Sequence, residues 1–414
     1  MPTLASAPLK RPVNRSILNQ HVEDTSFCWL RRQEALWRPS YRSPHQQRLD
    51  QLLDAHLEGL RIASSASLPI ALNNLKRWET ADEMFTSTYI MLQQDGEVDW
   101  EPLETILKEC PSSSNGATAA LLWNTTESTY ACLKRWTNST EPSLRAAATS
   151  AIAIRHANGS LESRTAWVLE RLEDPSNAAR ARALRCIGEW NLSSLARYLH
   201  TAATDNDPLC RFESAYAMTW LRMEQGGSTL LETLPLMTGT KKRRGLLVLA
   251  LTATTNDFNQ WLHSIENQPD SQRDMIWALA FRGDNYALDR LLKLIQIPAY
   301  SRLAAYAICH ITGLDLDEQG LWHPDAQNDP EASYFSEDDG LLIPDPKLLA
   351  AWVKRIQTTI PKSTCWLAGK AMTLENAKTV LQTGWQPQRW QAAFIIDLHQ
   401  HHAQSLLKMS SPRL

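Results

Sequence analysis

Apolar residues recur at helical spacing along most of the chain, and the pattern itself repeats. Residues 272–313, "QRDMIWALAFRGDNYALDRLLKLIQIPAYSRLAAYAICHITG", show the unit. An Arg opens a run of small and apolar residues. A break follows, then a Leu-rich amphipathic stretch, a Pro, and the same order begins again. Matching runs start at Leu144 ("LRAAATSAIAI"), Ala179 ("ARARALRCIGEW"), Cys210 ("CRFESAYAMTWL") and Arg243 ("RRGLLVLALTA"). A more distant copy, "QRWQAAFIIDLHQ", contains Arg389. Strand-type alternation is absent, so β-structure is not expected.

The opening arginines are Arg145, Arg180, Arg211, Arg244, Arg273 and Arg302, spaced 35, 31, 33, 29 and 29 residues apart. All but Arg244 have a Pro a few residues upstream. Proline is tolerated in the first turn of a helix and not in its interior, so each Arg lies near a helix start. The amphipathic stretch between copies, such as "RTAWVLERLE", supplies a second helix. One helical hairpin cannot bury its own apolar face. Stacked hairpins can, and a continuous core then runs through the array. The expected fold is therefore an all-α solenoid; its unit, seen best in "EDPSNAARARA" and "NDPLCRFESA", resembles a HEAT or armadillo-like repeat, which implies a right-handed superhelix.

The chain divides by pattern. Residues 1–16 read as a flexible tail, and 17–140 as an N-terminal helical cap of divergent hairpins. His56 lies on an apolar stripe there and reads as a core histidine. Residues 141–314 hold the repeats. Residues 315–346 form an acidic loop insertion, and 347–414 are C-terminal helices capping the solenoid. The acidic stretch changes the charge picture. Of a formal net charge of -3, it supplies ten Asp or Glu and no Lys or Arg between Asp315 and Asp345. The rest of the chain is mildly basic.

Seven Cys without a C-x-x-C pair read as reduced thiols, which fits a cytoplasmic protein. The N-terminus lacks the apolar region of a secretory signal, and no apolar run reaches the length of a membrane span.

A family resemblance joins the two ends. "HVEDTSFCWLRRQ" and "RLDQLLDAHLEGLRIA" near the start resemble the opening of an uncharacterised bacterial HEAT-repeat family. "ITGLDL", "IPDPKLLAAWV", "CWLAGKAMT" and "LQTGWQPQRWQAAFIIDL" resemble its closing signature. Members of that family are often associated with type VI secretion loci. The resemblance implies a protein partner, such as a secretion-system component or effector. It carries over no catalytic residue.

The candidate chemistry is binding. The six repeat arginines are expected to line the concave side as a ladder for an acidic partner, or to brace the turns by pairing with Asp174, Asp207 or Asp270. "KKRR" (residues 241–244) with Arg180, Arg182 and Arg185 forms a possible basic stripe. Nucleic acid requires such a stripe to be continuous and flanked by stacking aromatics, so it is the lesser alternative, along with a DNA glycosylase-like enzyme. In the acidic loop, Glu337, Asp338 and Asp339 are expected to dock on the basic array or to remain free. His399 and His402 have helical spacing, but no acid or Cys joins them. No nucleotide-binding, nucleophile-elbow or zinc-protease motif is present, so no catalytic residue, metal or cofactor is expected.

Overall fold

The computed structural model describes residues 14–94, 96, 98–323, 335–359 and 364–410. Most of the expected N-terminal tail, and residues 324–334 of the expected acidic loop, lie outside the described residues. The chain forms two compact units. The first comprises Met1–Gln33 and Gln47–Ala151, and the second comprises Glu34–Gln46 and Ile152–Leu414. Both are all-α apart from one small hairpin, as the helical periodicity predicts.

The first unit is built on α1 (Arg15–Ala35), α2 (Ser43–Ala63), α3 (Leu68–Trp78), α4 (Ala81–Met91), α5 (Glu101–Glu109), α6 (Ser114–Trp123), α7 (Glu127–Thr137) and α8 (Pro142–Arg155). Its centre is α4, in which every residue from Glu83 to Met91 is buried. Trp29 of α1 stacks on Phe85 at 5.3 Å. Gly116 lets α6 lie directly on α4: a Cβ there would sit 1.8 Å from the Ala81 carbonyl oxygen. His56 is not in the core. It stands half-buried at the margin of the Leu53–Leu57–Leu60 stripe, with its Nδ1 3.1 Å from His21 Nδ1 and 3.8 Å from Asp24.

Glu83 is the anomaly of this core. Burial pushes its carboxyl from the ordinary 4.5 up to about 7, although Ser26 opposes the shift with a hydrogen bond. Its Oε2 has no hydrogen-bond partner among the described residues. A carboxyl raised in this way makes the native state bind the extra proton. The contribution of Glu83 to stability is therefore fullest below about 4.5 and is lost as pH rises to 7. Glu83→Gln is expected to stabilise the protein by about 1–3 kcal/mol at pH 8 and by nothing at pH 4. Thermal melts at the two pH values check this; an equal effect at both would sink it.

The second unit contains α9 (Leu161–Leu172), α10 (Asn177–Glu189), α11 (Ala196–Ala202), α12 (Pro208–Trp220), α13 (Gly226–Thr233), α14 (Gly239–Thr252), α15 (Thr255–Ile265), α16 (Gln272–Arg282), α17 (Asn285–Leu294), α18 (Pro298–Thr312), α19 (Pro346–Gln357), α20 (Leu374–Thr383), α21 (Gln386–Gln400) and α22 (Gln404–Ser410). The even-numbered helices α10 to α18, which contain five of the six repeat arginines, form one layer. The odd-numbered helices α9 to α17 form the other. Small residues set the spacing within the inner layer. At Gly188 of α10, a Cβ would lie 2.7 Å from the Ala217 Cα of α12. Turn residues start the helices as their chemistry dictates: Asp207 caps α12 and Asp284 caps α17 through backbone amides 2.9 and 2.8 Å away.

The C-terminal residues do more than extend the stack. The exception to the all-helical pattern is a hairpin of β1 (Trp366–Leu367) and β2 (Lys370–Ala371). Ala368 and Gly369 at its tip both have positive φ, the requirement of a tight type I′ turn. Its backbone closes two helix ends. Trp366 N–H donates to Gly283 O at 2.8 Å, and Ala368 and Gly369 N–H donate to His310 and Ile311 O at 3.0 Å.

From there α21 runs across the C-terminal ends of the inner layer. Gln388 Nε2 donates to His310 O (3.1 Å), Gln391 Nε2 donates to Phe281 O (2.9 Å), and Phe394 meets Trp220 edge-on at 5.0 Å. Beyond α21, Ala403 N–H reaches Glu189 O at 2.9 Å. Buried His310 bonds Gln391 Oε1 through Nε2 (2.6 Å), and burial pushes its pKa down to about 4, so it is neutral. The segment Glu34–Gln46 joins this layer. Trp37 stacks on Trp390 at 4.9 Å, and Trp390 Nε1 donates to Leu36 O at 2.6 Å.

Candidate functional site

The six repeat arginines do not occupy one equivalent position. Arg145, Arg180 and Arg211 act alike. Each guanidinium donates to the carbonyl six residues back, that of Ser139 (2.6 Å), Asp174 (3.1 Å) and Asp205 (2.6 Å) respectively. They brace the turn that leads into their own helix; Arg180 also donates to Asn177 Oδ1 at 2.8 Å and pairs with Asp205 of the next turn at 3.8 Å. In α16 the brace is Gln272, whose Nε2 donates to Glu266 O at 2.6 Å. Arg273, one residue later, is thereby free to face elsewhere.

The second set forms a row on the inner layer of the second unit. Arg243 of α14, Arg273 of α16 and Arg302 of α18 all meet the acidic segment. Arg273 donates through Nε to Glu337 (2.6 Å) and holds Asp338 with a two-pronged grip at 3.0 and 2.6 Å. Arg243 donates to the other Glu337 oxygen at 3.2 Å. Arg302 donates to Leu341 O at 3.0 Å. Phe335 covers the Arg273 guanidinium at 4.1 Å, and Trp277 covers that of Arg243 at 3.7 Å. Burial alone would raise the Glu337 pKa; Arg243 and Arg273 outweigh it and hold the carboxyl below its ordinary value. Asp338 is buried, whereas Asp339 is exposed.

Next along the layer lies an ion cluster. Glu189 accepts from Arg182 (2.9 Å) and Arg185 (2.6 Å), and Arg244 pairs with Glu213 across α12 and α14. The Arg244 guanidinium lies 4.4 Å from the ring centre of Tyr216. Burial works against the Glu189 charge, but Arg185, Arg182 and Arg244 prevail and hold it at about 2. Lys242 pairs with Asp274 at 2.8 Å. The basic run 241–244 is thus the first turns of α14, with Lys242, Arg243 and Arg244 each engaged, and not a solvated loop. Alternating acids divide the arginines, so the face is not the unbroken positive stripe that a nucleic acid backbone needs.

Elsewhere, His402 Nε2 lies 3.2 Å from Ala157 O and 3.1 Å from Arg164, which accounts for it as a tie between α22's approach and the outer layer. Among the described residues, no group of three or more His, Cys, Asp or Glu is arranged to hold a metal. A separate open groove of about 1010 Å³ lies between α13 and α15, over Leu249, Trp261 and Leu398. Arg243 was the residue that the sequence pattern passed over in favour of Arg244. The missed signal is its place one residue after Lys242, as Arg273 follows Gln272 and Arg302 follows Ser301.

Residues 165–252 match the family model for HEAT repeats. That stretch carries HEAT repeats. The match spans α9 to α14, apart from the first residues of α9, inside the stretch in which the sequence pattern places repeats. No curated protein and no solved structure gives a match. HEAT repeats generally serve as protein-interaction scaffolds, and the two-layer stack of the second unit is the form that such a scaffold takes. Among the described residues, no helix is long and apolar enough to cross a membrane.

Proposed function

We propose that this HEAT-repeat chain is a protein-binding scaffold in the cytoplasm, an adaptor or chaperone that serves as an accessory factor of a type VI secretion system. The observation that carries the binding role is the HEAT-repeat stack itself, whose rigid layers present side chains at a fixed pitch over a long surface. A standard protein interface needs about 800 Å² from each partner, and an array of this length offers more than that. The resemblance of the chain's two ends to the family found at type VI secretion loci supports the choice of system. The mixed charge of the inner face supports a protein partner over a nucleic acid.

Affinity purification of the tagged chain from the cells that make it, with and without nuclease, tests this reading. A specific protein should be recovered in near-stoichiometric amount and survive nuclease treatment. Recovery of nucleic acid alone would overturn the scaffold reading. A specific protein unrelated to secretion would retain the scaffold and remove the system.

A further inference from the structure

The acidic segment supplies the arginine row with a ligand of defined chemistry. Its order is an aromatic, one spacer and two acids: Phe335, Ser336, Glu337, Asp338. The ring stacks on Arg273, the first acid bridges Arg243 and Arg273, and the second takes the bidentate prongs of Arg273. The receiving side is rigid, because its arginines project from three helices of one packed layer. Planar guanidiniums on a fixed frame select carboxylate pairs by geometry as well as charge.

The arriving side is held differently. Phe335 keeps 38 % of its surface exposed and the Glu337 side chain 40 %. The Glu337 ion pairs, open to water, contribute little and are readily exchanged for equivalent ones; buried Asp338 is the segment's anchor, and an incoming acid must replace its two-pronged bond to Arg273. The neighbouring arginines Arg182, Arg185 and Arg244 are already paired with Glu189 and Glu213, so the row that an acidic ligand can claim is Arg243 and Arg273, with Arg302 at its end.

We propose that the arginine row is the docking surface for an acidic, aromatic-led segment of a partner protein, and that residues 335–338 are the chain's own stand-in for it, displaced when the partner binds. This rests on the scaffold reading and specifies its partner class. The charge complementarity is already realised within the chain, and the grip of Arg243 and Arg273 on Glu337 and Asp338 sets the order of groups that the partner segment must present.

The test uses the full chain and a fluorescent peptide with the sequence of residues 333–341, SYFSEDDGL, followed by anisotropy. Emptying the row with the near-isosteric pair Glu337→Gln and Asp338→Asn should make the peptide bind at least tenfold more tightly than it binds the unaltered chain. Adding Arg273→Ala should abolish that gain, and a peptide with Gln and Asn in place of its acids should not bind. Phe335→Ala provides a second, independent loosening of the segment and should raise peptide affinity in the same direction. Equal peptide affinity for the unaltered and emptied chains, or none for either, overturns the proposal. Display selection on the emptied chain should enrich peptides with an aromatic followed closely by two acids. Enrichment of basic or purely apolar peptides overturns the partner class. A specific partner captured from cells whose binding ignores Arg273→Ala would leave the scaffold reading standing and remove this surface from it.

Discussion

Replacing Glu189 by alanine is expected to destabilise the second unit by about 3–5 kcal/mol, the cost of stranding buried charge. Glu189 is fully buried at the end of α10 and is the shared acceptor of Arg182 and Arg185. Without it, two guanidiniums remain half-buried beside Arg244, repelling one another. The pH dependence distinguishes this cause from lost packing. The Glu189 carboxyl titrates at about 2, below its ordinary 4.5, so its stabilisation is complete above pH 4.5 and disappears as pH falls towards 2. The gap between the unaltered chain and Glu189→Ala should narrow over that window. Denaturant titration followed by tryptophan fluorescence measures it. A gap of the same size at pH 7 and pH 3 would refute the charge explanation.

Trp390→Ala is expected to cost a similar amount, about 3–5 kcal/mol, for a different reason. The indole stacks on Trp37 and donates to Leu36 O, so one side chain contributes both an apolar contact and a polar tie that hold Glu34–Gln46 against α21, beside the Gln386 N–H bond to Tyr41 O at 2.7 Å. Truncation leaves a large void and an unpaired carbonyl. The segment should loosen before the repeats melt, visible as faster amide exchange over residues 36–46 with little change over α12. Unchanged exchange in that segment would show that Arg42, which covers Trp385 at 3.9 Å, and the Gln386 N–H bond to Tyr41 O suffice to hold it.

The stack of helical hairpins was legible because its causes are local. Small residues such as Ala183 and Gly188, prolines at helix starts and Asp caps each act within a turn or between adjacent helices. The register of the arginines was only half legible. Aligning the chain on arginines selects Arg244, Arg273 and Arg302. The folded helices instead align Lys242, Gln272 and Ser301 with Arg145, Arg180 and Arg211, because helix starts set the frame and a 3-10 turn at Pro269–Ser271 shifts α16 within it. Charge patterning identified the acids of the insertion and the bases of the array. It could not show that Glu337 and Asp338 meet Arg273, because that pairing joins residues 64 and 65 apart through a chain path that no periodicity encodes. The same applies to α21. Its glutamines, Gln388 and Gln391, read as polar helix positions, yet they are buried because the carbonyls they satisfy belong to α18 and α16. The hairpin at Trp366–Ala371 escaped notice because its strands are too short to show alternation.

The course of α21 has an evolutionary consequence. Arrays of this kind ordinarily gain or lose units by duplication, since each contacts only its neighbours. Here a single helix and its continuation touch the ends of α18, α16, α12 and α10 in succession, so it acts as a ruler laid across the rungs. Adding or deleting one hairpin between α10 and α18 would throw at least two of those contacts out of step. The number of units in this chain is therefore fixed by its own C-terminus, and lineages of such proteins should vary in loops and surface residues while keeping the same count.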